Sequence, residues 1–134
     1  MCASSKKKVL IIDDEPHVVT YLEMLLQDEG YETLSASNGR IGMQQASAHQ
    51  PDLICLDITM PEESGIRFYH DIRRNPQLSA TPVVVVTAVT GPGGDQSELN
   101  RLLDDNSRLP DPEAFFSKPI DRAEFVDAIG KLLG

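Results

Sequence analysis

The apolar residues of this chain fall in short unbroken runs, each stopped by a polar side chain. Val9 to Ile12 stops at Asp13-Asp14, Leu53 to Leu56 at Asp57, and Val83 to Val86 at Thr87. A run that is apolar throughout, rather than at every second residue, predicts a strand buried on both faces, the habit of parallel sheets. Pro51 precedes the middle run and Pro61 forbids its extension. Pro82 introduces four valines in a row, and β-branched side chains favour strand over helix. Two weaker strands are expected: Tyr31 to Ser35, whose thin apolar content suits a sheet edge, and Ala114 to Phe116.

Between the runs the apolar period becomes that of a helix. After Pro16, the residues Val18, Leu22 and Leu25, with Val19 and Leu26 beside them, form one stripe that Gly30 closes. A second helix is expected from Asn38-Gly39 to about His49, weakened by Gly42. A third runs from Gly65 to about Arg74, with Ile66, Tyr69 and Ile72 inward and Asn75-Pro76 at its end. Gly91, Pro92, Gly93 and Gly94 make a loop, after which Asp95 and Glu98 open a helix. Leu99, Leu102 and Leu103 stripe it, and Pro110 and Pro112 finish it. Asp121 and Glu124 start the last helix, with Phe125, Ile129 and Leu132 on one face. Five strands alternating with five helices, joined by right-handed crossovers, predict a doubly wound parallel α/β sheet of order 2-1-3-4-5.

At 134 residues the chain suits one domain with a real core. Residues 1–7 read as an N-terminal tail and 8–134 as the domain. Twelve basic against twenty-one acidic residues leave a net charge of −9, which argues against direct nucleic-acid binding. Only four apolar residues separate Lys6-Lys7-Lys8 from Asp13, too few for a signal-peptide core or a membrane span. Cys2 in the tail and Cys55 in a buried strand imply no disulfide framework. A cytoplasmic protein with no membrane partner is expected.

In the predicted order the carboxyl ends of strands one, three and four adjoin, and open parallel sheets bind ligands beyond such ends. Asp13, Asp14, Asp57, Thr87 and Lys118 would therefore converge. Any one of them alone reads as a turn former; five at four strand ends read as a site. Clustered carboxylates repel unless a cation enters or a proton is held, and hard oxygen ligands suit Mg²⁺. A cation beside a carboxylate, faced by an ammonium and a hydroxyl, neutralises a phosphoryl group in transfer. Asp57 lies between the acid pair and Lys118 and is the natural nucleophile, giving an acyl phosphate. Other patterns carry less. The glycines after position 90 fit neither the dinucleotide fingerprint nor a Walker motif. His17, His49 and His70 lack metal-ligand spacing and read as surface residues. Cys55 reads as a small core residue. Asp57-Ile58-Thr59 has Thr59 where phosphatases of the haloacid dehalogenase type want a second Asp.

Taken together, Asp13-Asp14-Glu15-Pro16, Asp57 with Met60-Pro61 and Gly65, Thr87-Ala88, and Lys118-Pro119 resemble the receiver domain of two-component response regulators. That is a flavodoxin-like family of five βα units with this strand order, which includes chemotaxis regulators. The resemblance implies that Asp57 accepts a phosphoryl group from a phosphohistidine on a sensor histidine kinase or a phosphotransfer protein. It implies that Asp14 and Asp57 ligate Mg²⁺ with the backbone carbonyl of Thr59, while Asp13 helps through water. Thr87 and Lys118 would bind phosphoryl oxygens, Phe115 would act with Thr87 as the switch, and the Lys118-Pro119 bond would be cis. Such a domain catalyses only its own phosphorylation and dephosphorylation and signals to a downstream protein target that the sequence does not name. The chain departs from the family between Thr87 and Lys118, which are further apart than usual, with Asp104 to Pro112 replacing the common Gly-Ala-Asp segment. That departure keeps open a second reading, a phosphorylation-independent interaction module of the same fold. Either a single-domain regulator or a piece of a longer protein fits the sequence.

Overall fold

The structure, a computed structural model, describes residues 7–57, 65–87, 114–117 and 120–133. In chain order these form β1 (Lys8–Ile12), α1 (Pro16–Asp28), β2 (Glu32–Ala36), α2 (Gly39–His49), β3 (Leu53–Leu56), α3 (Gly65–Arg74), β4 (Val83–Thr87), β5 (Ala114–Ser117) and α4 (Arg122–Leu133). The sheet order is β2-β1-β3-β4-β5, with every neighbouring pair parallel. The thin second strand lies at the edge, as its composition predicts.

The unbroken apolar runs are buried on both faces because successive side chains point to opposite sides of a strand. Leu10, Ile12, Ile54, Leu56, Val83 and Val85 enter one core with Ala46 of α2 and Phe68, Tyr69 and Ile72 of α3. Val9, Ile11, Leu53, Cys55, Val84 and Val86 enter the other, with Leu22, Leu25 and Leu26 of α1 and Phe125 and Ile129 of α4. Each fully buried Leu, Ile, Val or Phe contributes roughly 1.5–3 kcal/mol relative to an exposed one. Phe116 and Phe125 meet edge to face, with centroids 5.6 Å apart and planes at 71°.

The helix ends follow from local chemistry. Pro16 occupies the start of α1. At its far end the Gly30 N–H donates to the Gln27 carbonyl at 3.0 Å and the Tyr31 N–H to the Leu26 carbonyl at 3.1 Å. This is a Schellman closure, and Gly30 takes the positive φ of 91° that it needs. Tyr31 is thereby claimed by the helix end, so β2 begins at Glu32 rather than at Tyr31. Asn38 Oδ1 accepts the Ile41 N–H at 2.8 Å to cap α2, and Asp121 Oδ1 accepts the Glu124 N–H at 3.0 Å to cap α4.

Gly42, which weakens α2 by propensity, has a packing reason to be there. A Cβ at that position would stand 2.6 Å from Ile12 Cδ1 and 3.3 Å from Phe68 Cε1. Its absence lets α2 settle directly on β1 and α3. The pole of the sheet opposite the strands' carboxyl ends is tied by side chain to backbone. Asp52 Oδ2 accepts the Lys8 N–H at 2.8 Å while the Asp52 N–H returns to the Lys8 carbonyl at 2.8 Å. The buried Arg73 donates to the carbonyls of Ser79 and Thr81 at 3.0 and 2.9 Å and to the Tyr69 hydroxyl at 3.1 Å. The loop leading into β4 is pinned by these bonds.

Two sequence expectations need correction. His70 is not a plain surface residue: it is half-buried, and its Nε2 is buried without a hydrogen-bond partner. Phe68, absent from the expected inward set of α3, is 3% exposed and packs in the core beside Gly42. The helix expected from Asp95, with Leu99, Leu102 and Leu103, lies outside the described residues. So do Cys2 and the Asp104 to Pro112 segment.

Candidate functional site

The site grows from the register of the central strands. Ile12 pairs with Leu56, so the next residues, Asp13 and Asp57, emerge side by side at the carboxyl end of the sheet. Their backbones remain tied to it. The Asp13 N–H donates to the Ala36 carbonyl at 3.1 Å and the Asp57 N–H to the Ile12 carbonyl at 2.9 Å. Both side chains are withdrawn from solvent, Asp57 at 2% and Asp13 at 3% exposure. Asp13 Oδ1 accepts the Glu15 N–H at 2.9 Å, which folds the chain back over the strand end and into α1. Asp14 and Glu15 are exposed.

One carboxylate oxygen from each of Asp13, Asp14, Glu15 and Asp57 lies within 4.8 Å of the others. Four carboxylates that close repel, and a hard divalent cation relieves the repulsion better than separation can. The donors are all oxygen, two sheltered and two facing water. That set fits Mg²⁺, which accepts one or two carboxylates and keeps much of its hydration shell. It does not fit a soft metal, and Cys55 is no ligand to one. That thiol is buried in β3, and burial pushes its ionisation far up, so it stays protonated.

Of the remaining predicted site residues, Thr87 ends β4 next to β3, paired with Ser117 of β5. Phe115 lies on β5 opposite Val85. For these two the backbone placement is what is described. Thr59, Lys118 and Pro119 lie outside the described residues. Glu15 was not singled out by sequence as a member of the cluster. The signal was present in the third consecutive acid of Asp13-Asp14-Glu15-Pro16, which entered only as part of the family motif.

The profile of the response regulator receiver domain matches residues 9–130. The chain belongs to that family. Among curated relatives of the receiver, the polar-differentiation response regulator DivK of Brucella anthropi is 32% identical over 128 residues, spanning 96% of this chain and 97% of the relative. Among solved structures, the chemotaxis protein CheY4 of Vibrio cholerae superposes with a TM-score of 0.79 at 25% identity, covering 96% of this chain and 100% of the other. The receiver domain of a signal transduction histidine kinase from Syntrophus aciditrophicus gives 0.77 at 27% identity, covering 95% and 89%. A sensor protein from Polaromonas sp. JS666, at 19% identity and a TM-score of 0.82 over 96% and 97% of the two chains, shares the flavodoxin-like fold. The receiver is thus a signalling module of the DivK and CheY kind. Among its described residues no helix is long and apolar enough to cross a membrane.

Proposed function

We propose that this receiver accepts a phosphoryl group on Asp57 from the phosphohistidine of a sensor histidine kinase or phosphotransfer protein, and that the cytoplasm, where ATP charges such a histidine, is where it does so. The observation that carries the reading is the burial of Asp57 against Asp13, with Asp14 and Glu15 in the same cluster. A carboxylate held at 2% exposure by its own strand is a fixed nucleophile, and fixed orientation removes much of the entropic cost of transfer. A carboxylate oxygen of Asp57 forms the new bond to phosphorus. The P–N bond breaks, and the imidazole leaves with its electron pair and takes up a proton. Water attacking the acyl phosphate later returns the carboxylate and inorganic phosphate.

Asp13, Asp14 and Asp57, with the Thr59 carbonyl, would hold Mg²⁺. Bound there, the ion supplies positive charge for the phosphoryl oxygens. Thr87 and Lys118 are assigned to bind the same oxygens, and Phe115 to follow Thr87 as the switch. Their support is the carboxyl-end placement of β4 and β5 and the family to which the chain belongs. The output is a changed surface offered to a downstream protein, with no reaction on any other substrate.

Incubation with acetyl phosphate and Mg²⁺ is expected to add one phosphoryl group by intact-protein mass spectrometry, and Asp57→Asn to abolish the addition. Equal labelling of the two proteins would remove Asp57 as acceptor. No labelling of either would favour an interaction module that works without phosphorylation.

A further inference from the structure

Ser, Thr, Asp or Asn at a helix N-cap turns its side chain onto the first N–H groups of the helix, while the N-cap carbonyl accepts the first intrahelical bond. Glu15, at the N-cap of α1, makes only the backbone part of that pattern. Its carbonyl receives the N–H groups of Val18 and Val19 at 3.1 Å each, its N–H donates to Asp13 Oδ1 at 2.9 Å, and its side chain makes no capping hydrogen bond. Pro16 follows at the helix start and restricts the backbone before it. The backbone of Glu15 is thus held from both sides, and one oxygen of its carboxylate lies with those of Asp13, Asp14 and Asp57 in the cluster.

The cluster has no need of a fourth direct ligand, because Mg²⁺ takes few carboxylates and keeps several waters. Glu15 is exposed and has the longest side chain of the four, which suits hydrogen bonding to that hydration shell. We infer that Glu15 is a positioning residue that tightens Mg²⁺ binding by holding the ion's hydration shell at the solvent side of Asp13, Asp14 and Asp57. Its charge has a second effect. An anionic phosphoryl donor approaching the cation-free cluster meets one more negative group, so Glu15 sharpens the dependence of phosphoryl acceptance on Mg²⁺. This rests on the reading of the cluster as a Mg²⁺ site.

Isothermal titration calorimetry of the full chain with magnesium chloride, without a phosphoryl donor, separates the role of Glu15 in binding from the Mg²⁺ reading on which it rests. Wild type is expected to bind one ion. Glu15→Gln is expected to bind about tenfold more weakly, the lower end for loss of an outer-shell partner, and Glu15→Asp to recover part of the affinity. Glu29→Gln, which removes the same charge at the other end of α1, is expected to leave it unchanged. Wild-type affinity in Glu15→Gln, or an equal loss in Glu29→Gln, would overturn the role of Glu15 alone. Failure of wild type to bind would overturn the Mg²⁺ reading and the inference with it.

Discussion

Asp14 and Asp57 belong to one cluster yet sit on opposite sides of its boundary with water, Asp57 sheltered and Asp14 exposed. The structural cost of the site is therefore shared between a group that cannot be resolvated and one that can. In the absence of cation the mutual repulsion weakens the fold, and a ligand that binds only the folded state restores stability by RT ln(1 + [L]/Kd), about 2.7 kcal/mol at a hundredfold excess over Kd. The melting temperature of wild type is expected to climb with Mg²⁺ concentration. Asp14→Ala should melt a few degrees higher than wild type without Mg²⁺ and respond little to it. A melting point of Asp14→Ala that still climbed as steeply as wild type would exclude Asp14 as a ligand. At this scale the convergence of Asp13, Asp14 and Asp57 was legible in the sequence, because Asp13-Asp14 and Asp57 follow two apolar runs that pair as neighbouring strands. Glu15 and His70 were not, since their situations depend on side-chain direction, which spacing along the chain does not fix.

Two glycines in helices make opposite predictions at the scale of the element. Replacing an interior helical glycine with alanine gains about 1 kcal/mol of propensity. At Gly130 of α4 nothing lies within 4 Å of the added methyl, so Gly130→Ala is expected to stabilise by about 0.5–1 kcal/mol. At Gly42 the methyl meets the fully buried Ile12 side chain, and overpacking costs about 1–3 kcal/mol. Gly42→Ala is expected to be destabilising by about 1 kcal/mol net. Urea midpoints moving in opposite directions would confirm the pair; two increases would show that α2 can retreat from β1 without loss. The sequence predicted both helices but treated Gly42 as a defect, since the reason for it is a neighbour thirty positions earlier. Strands were the more legible elements. Their boundaries held to a residue or so because Asp, Thr and Pro punctuate them, and β2 begins one residue late because Tyr31 serves α1.

For the whole molecule, the layering of helices on both faces of a parallel sheet follows from apolar runs too uniform for one-sided burial, and that pattern is visible without coordinates. The output surface is less so. The sequence from about Thr90 to Asp111, outside the described residues, holds three glycines at one end and Pro110 beside the other. On the proposal that phosphorylation is read out there, hydrogen exchange should change most in that interval when a phosphoryl mimic occupies Asp57. Changes confined to α1 would direct the signal to another face. The placement of β1 between β2 and β3 also sets a problem of timing. Val9 leaves the ribosome first but pairs with Leu53. At about 5–20 residues per second, roughly 2–9 s pass before that partner is even synthesised. During that interval β1, with four apolar residues in its five, has at least one open edge, so the nascent chain is a natural client for a chaperone, and the sheet cannot assemble in the order in which it is translated.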